Sequence, residues 1–166
     1  MADWASDHLG AAVLAHDWAM SGLRPYPVMQ DALDQMNPPG HGRVGWSVLG
    51  ALARAQLRRG RSVVLDGVAR SPDVEHCREV ALDEHAHFAV ILTECADAGV
   101  HRSRIEGRQR SIPNWYEIDW HQVQRSRASW VAPDPVELRL QATEPMAQNR
   151  RRLADFLDAS LRRSDG

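Results

Sequence analysis

Three short apolar runs constrain this chain more than any other feature. Residues 11–15 (AAVLA), 62–65 (SVVL) and 88–93 (FAVILT) contain no charged side chain. A strand with one wet face alternates apolar and polar residues, whereas a strand covered on both faces does not. Helical patterns separate the runs. A helix over 2–9 is closed by Gly10, and another covers 28–36. A longer one covers 43–59, with Val44, Val48, Leu49, Leu52 and Leu57 as its apolar stripe and Gly60 as its stop. Ser71, Pro72 and Asp73 read as the N-cap and first turn of a helix reaching about residue 84. Strands alternating with helices predict a three-layer α/β sandwich around a mainly parallel sheet. A fourth strand, 136–141 (VELRLQ), alternates and is expected half-exposed at a sheet edge. Helices over 97–109, 120–128 and from Pro145 to about residue 161 complete the reading. With 166 residues and no repeat, low-complexity tract or linker, the whole of 1–166 is expected to be a single domain.

In parallel sheets of this kind, ligands bind beyond the carboxyl ends of the strands. Those ends carry Asp17, Asp66 and Thr93. A second feature points to what they face. Arg102, Arg104, Arg108 and Arg110 fall within nine residues, just before the break Ile112-Pro113-Asn114-Trp115. Guanidinium groups repel one another, and a packed domain keeps them together where an anion sits between them. Their planar forks match phosphate oxygens in pairs. Helical spacing puts Arg104 and Arg108 on one face, with Arg110 near the helix end. The competing reading is a solvated helix whose arginines pair with Glu106 and Glu117. Strand-tip acids opposite an arginine-rich helix predict a site for phosphate and a divalent cation.

Composition removes several classes of function. All twenty basic residues are arginine, which excludes lysine Schiff-base chemistry and a phosphate-loop lysine within these residues. The formal net charge of −2 exerts no general pull toward nucleic acid or an anionic membrane. Cys77 and Cys95 form no disulfide framework or zinc spacing, so a reducing, cytoplasmic setting is expected. No leader peptide or membrane span is legible, because acids or Arg54 interrupt the candidate stretches. His85 and His87, beside Asp83 and Glu84, lack a third ligand at a recognisable spacing and read as a polar loop before a strand. Packing is the default for the six tryptophans, with Trp115 a candidate brace for the arginine segment.

Four stretches, LGAAVLAHDWAM, SVVLDGVARSP, HRSRIEGRQRSIPNWYEIDW and QATEPMAQN, together resemble the P-loop kinase group, in particular its small ATP-binding proteins called AAA-family ATPases or predicted kinases. The resemblance implies a nucleotide-kinase-like P-loop NTPase fold in which 97–120 is a lid. It implies that Asp17 is the base taking the proton from a substrate hydroxyl, and that Asp66 holds Mg2+ at the Walker B position. Arg104, Arg108 and Arg110 would close over the phosphates of ATP, while Arg24 and Arg70 would contact the acceptor. Residues 143–149 would lie near the adenine. The implied partners are ATP and an unidentified hydroxyl acceptor.

One departure bears on all of this. The group opens with a strand and a G-x-x-x-x-G-K-[ST] loop, and neither is found here. In the group that first strand lies inside the sheet, between the third and fourth, so its absence is expected to leave neighbouring strands unpaired. A start site placed too far downstream is the favoured explanation over a degenerate copy, because Asp17, Asp66 and the arginines persist. Weak or absent ATP binding is expected from these 166 residues. Two other classes stay open: a non-catalytic binder of nucleotides or nucleic-acid ends, and a remnant that needs a partner to complete its sheet.

Overall fold

The computed structural model describes residues 1–37 and 40–164. In chain order they form α1 (Ala2–Leu9), β1 (Ala12–Ala15), α2 (His16–Ser21), α3 (Pro27–Gln35), α4 (His41–Leu57) and β2 (Val63–Asp66). There follow α5 (Ser71–Asp83), β3 (Ile91–Glu94), α6 (Ala98–Glu106), α7 (Trp120–Ser129), β4 (Leu138–Gln141) and α8 (Met146–Ser164). The alternation of strand and helix, and the parallel sense of pairing, are as the apolar runs predict. Among the described residues no helix is long and apolar enough to cross a membrane.

The sheet is not one continuous layer among the described residues. It is split into two parallel pairs, β1 with β2 (Ala12 opposite Val63) and β3 with β4 (Ile91 opposite Leu138). Among the described residues each strand therefore has one paired edge and one unpaired edge. The apolar runs predict strands buried on both sides, yet Leu140 is the one strand residue described as fully buried. A strand is fully enclosed only when both edges and both faces are covered, and among the described residues both outer edges of each pair lack a strand neighbour.

Several local details also move. Gly10 closes α1 with φ 59° as expected, its N–H donating to the Asp7 carbonyl. Asp17 is not a strand tip: β1 ends at Ala15, and Asp17 lies in the first turn of α2, where the helix dipole favours an anion. Ser71 is not the cap of α5 but its first residue. Arg70 takes the cap position, and its N–H donates to the Asp73 carboxylate at 2.9 Å. The last helix continues past 161 to Ser164.

Two apolar clusters hold the layers together. Ala5, Leu140, Leu153 and Leu157 form one, with Val64 and Ile91 packed against it. Trp46, Leu49 and Cys77 form the other, with Leu14, Leu65 and Phe88 alongside. Neighbouring residues Val64 and Leu65 thus serve opposite faces of β2, as a strand's twofold alternation requires. Burial raises the Cys77 thiol to a pKa of about 11, so it acts as a small apolar group. Leu49 has no exposed surface. Leu49→Ala is expected to cost about 2–5 kcal/mol, visible as a lower midpoint in urea with an unchanged slope.

Candidate anion-binding cleft

A cleft of about 2980 Å3 runs between the two half-sheets, and every residue of β2 and of β3 lines it. Ordinary small-molecule pockets occupy roughly 300–1,000 Å3, so one small ligand leaves most of this space unfilled. At the carboxyl ends of the strands the cleft gathers Asp17, Asp66, Arg104, Arg108 and Arg110.

Asp17 is the best-anchored of these. Its carboxylate accepts from Arg110 Nη1, and its other oxygen lies 3.4 Å from His16 Nδ1. Arg110 is held from three further directions. Its Nη2 donates to the Tyr116 carbonyl at 2.7 Å, its Nε to Glu117 at 3.3 Å, and its backbone N–H to Glu117 at 2.8 Å. Its side chain is only 13% exposed. Backbone amides and the guanidinium of Arg110 hold the Glu117 carboxyl below its ordinary range. This loop is thereby tied to the first turn of α2.

His16 is positioned by missing side chains. A Cβ on Gly45 would stand 2.3 Å from His16 Nε2, and one on Gly67 would stand 2.8 Å from His16 Cβ. Glycine at both places lets α4 and the loop after β2 close around the ring. Gly45→Ala is expected to push the imidazole aside and cost about 1–3 kcal/mol, with the His16 ring resonances shifting in NMR spectra.

The acids titrate in opposite directions. Burial alone would raise Asp17, but the hydrogen bond from His16 and the charge and hydrogen bond of Arg110 outweigh it, so its pKa falls below the ordinary value. Burial likewise opposes the charge on His16, yet the hydrogen bond and charge of Asp17, with the carbonyls of Gly42 and His41, raise its pKa. Asp66 is raised, chiefly by burial and then by the neighbouring charges of Asp3 and Asp17, against the pull of the amino terminus and Arg108.

The arginines divide. Arg102 pairs with Glu106 at 2.8 Å and Arg110 with Glu117, as the solvated-helix reading expects. Arg104 and Arg108 line the cleft, and neither has an ion pair among the described residues. Two further members went unread in the arginine pattern. His101 lines the cleft with them, its pKa lowered by burial and by the charges of Arg127, Arg108 and Arg104. Arg127, from α7, lines the same cleft. Its proximity depends on how α6 and α7 pack, which local spacing does not encode.

Arg24 also lines the cleft, stacked 5.9 Å from the ring centre of Trp115 and 5.2 Å from that of Tyr116. Those two rings stack on each other at 5.0 Å. Arg70 stands outside the cleft walls, donating to the Ser129 carbonyl at 3.0 Å and to Ser129 Oγ at 3.3 Å. The loop after Asp66 is pinned by indole N–H groups, Trp46 to the Val68 carbonyl and Trp130 to the Ala69 carbonyl. Residues 143–149 do not line the cleft; Asn149 is buried and donates to the Gln141 carbonyl at 2.8 Å. Among the described residues no group of three or more His, Cys, Asp or Glu is arranged to hold a metal ion.

No family model matches the sequence, and no curated protein matches it. A solved structure does match in three dimensions: a "putative kinase" from Chloroflexus aurantiacus J-10-fl, with a TM-score of 0.64 at 16% sequence identity. The match covers 96% of this chain and 89% of that one. The two proteins share a fold. At that identity the likeness concerns the arrangement of strands and helices and carries no residue roles.

Proposed function

We propose that the cleft binds the phosphates of a nucleotide and that the domain is a kinase-like phosphotransferase acting on a hydroxyl acceptor. The observation that carries this reading is the pair Arg104 and Arg108. They face the cleft without a carboxylate partner, with Arg127 and His101 beside them and Asp66 across from Arg108. Unneutralised guanidinium groups kept together are held against their own repulsion, and a polyphosphate relieves it. The shared fold with the Chloroflexus protein supports the same reading.

ATP and Mg2+ fit these residues unequally. The arginine face suits the terminal phosphates, but no glycine-rich loop or lysine supplies the second half of a phosphate cradle. Asp66, whose anion is disfavoured beside Asp3 and Asp17, suits a cation that takes its other ligands from phosphate and water. Bound there, Mg2+ would neutralise charge on the transferring group. Asp17, kept anionic, is the group able to accept a proton from the acceptor hydroxyl. Arg110 and Asp17 must part before it does so, which makes the 110–117 loop the element that moves. Arg24, stacked on Trp115 and Tyr116 at the cleft wall, is placed to meet the acceptor; Arg70 contributes by tying α5 to α7.

Calorimetry with ATP tests the proposal. Binding is expected near 1 mM, about −4 kcal/mol, and stronger with Mg2+. Asp66→Asn should abolish the Mg2+ dependence while leaving the metal-free affinity unchanged or slightly improved. ATP binding that Mg2+ leaves unchanged, or that survives Asp66→Asn with its Mg2+ dependence intact, contradicts the assignment.

A further inference from the structure

The arginine wall of the cleft holds one group of a different kind. His101, Arg104 and Arg108 are spaced three and four residues apart along α6 and just past its end, and all three line the cleft. That spacing stacks side chains along one helix face. Arg127 joins them from α7, the helix packed against α6. The acids of this region are turned to other tasks. Glu106, Glu117 and Asp119 line a separate recess together with His121. The carboxylates of Asp97 and Asp119 accept from the backbone N–H groups of Val100 and Gln122. The charges that act on His101 are therefore Arg104 and Arg108 from its own segment and Arg127 from α7, all of them positive.

The imidazole is fixed edge-on to the Trp120 ring, with centres 5.4 Å apart and planes at 82°. That contact explains why a flat ring stands here, but not why it carries two nitrogens. Its Nδ1 is enclosed and hydrogen-bonds no group among the described residues. A buried polar nitrogen without a partner calls for one. We infer that His101 is a fourth cationic ligand of the bound polyphosphate, taking up a proton as the anion enters. This rests on the phosphate reading and adds to it a coupling between anion and proton. Without an anion, burial and the three guanidinium groups hold the imidazole neutral, its pKa below the ordinary histidine value. The site is thereby spared a fourth like charge. Phosphate oxygens between the arginines reverse the local sign, and the imidazolium becomes the favoured form. The charge is shared by both ring nitrogens, so either can present it. Since the anion-bound pKa is the higher one, affinity is greatest in acid and falls as pH rises through that value.

The test uses the full chain and trimetaphosphate, a cyclic anion whose charge stays fixed over the range in which histidine titrates. Its affinity is expected to rise about five- to tenfold between about pH 8 and about pH 5.5, a tenfold gain corresponding to a pKa displaced by about one. Followed by NMR, the His101 ring protons should titrate at higher pH with trimetaphosphate than without it. Calorimetry in buffers of different ionisation enthalpy should record net proton uptake on binding. His16 and Asp66 also titrate in the cleft, so His101→Gln assigns the proton. In that variant the ratio of affinities across the same pH range should drop below about twofold. The ring titration needs no variant, so a His101→Gln chain that failed to fold would leave the test in place. A pH ratio that survives His101→Gln, or a His101 pKa that the anion leaves unmoved or lowers, overturns the inference while the phosphate site stands. Absence of trimetaphosphate binding at every pH overturns this inference and the phosphate reading together.

Discussion

Replacing Arg104 and Arg108 together by alanine lowers the affinity for tripolyphosphate by about 30- to 100-fold, some 2–3 kcal/mol. Hydrogen bonds to charged groups each contribute about 1.5–3 kcal/mol, and exposure of both side chains brings the pair toward the lower end of that sum. Neither arginine is tied to a carboxylate, so the double variant leaves no buried acid behind. Its melting temperature should stay within a degree or two of the parent, and removal of like charge near His101 should raise that imidazole's pKa. Arg102→Ala serves as the internal control. Its guanidinium is spent on Glu106 at the surface, and its loss should change phosphate affinity less than twofold.

Asp17→Ala carries the second large effect, on stability. It leaves Arg110 mostly enclosed with Glu117 and a carbonyl as its remaining acceptors. Breaking a fully buried pair costs about 3–5 kcal/mol; Asp17 is 31% exposed, which discounts this to about 1–3 kcal/mol. In a domain of this size that lowers the melting temperature by roughly 2–4 °C per kcal/mol. Asp17→Asn should recover part of the loss, since the amide oxygen still accepts from Arg110. The same contacts set a pH window. Asp17 has a folded pKa below its unfolded value, so its contribution is present above that unfolded value and fades as pH falls through the depressed pKa. His16 has a folded pKa above its unfolded value, so its contribution is full below about 6.5 and fades as pH rises through the raised pKa. Stability conferred by the loop contact should therefore peak in mildly acidic solution, and Asp17→Ala should flatten the profile on both flanks.

How much of this was legible in the sequence depends on the range of the interaction. Gly10 and the apolar run 62–65 announce local structure, and local rules suffice for them within a residue. The arginine segment announced a charge problem but not its solution. Two of its members, Arg102 and Arg110, find carboxylates four and seven residues away, while Arg104 and Arg108 turn to the cleft. Asp17 was found as a candidate acid, though its tie to Arg110, 93 residues along, was not. Arg127 and His101 escaped because their meeting depends on helix packing. Ser71 misled because Asp73 reaches back to the Arg70 amide and shifts the helix start by one residue. The split sheet was foreseeable only by resemblance. Apolar runs say that strands want cover, not how many neighbours they find.

The central claim is that Arg104, Arg108 and Arg127 form one site for phosphate above the ends of a divided sheet. The most direct measurement follows the arginine side-chain Nε–H resonances while tripolyphosphate is added. The account predicts saturable shifts confined to Arg104, Arg108 and Arg127, with Arg102 and the arginines of α8 silent. Small, unsaturable shifts spread over all the arginines, or shifts led by Arg102, would contradict it.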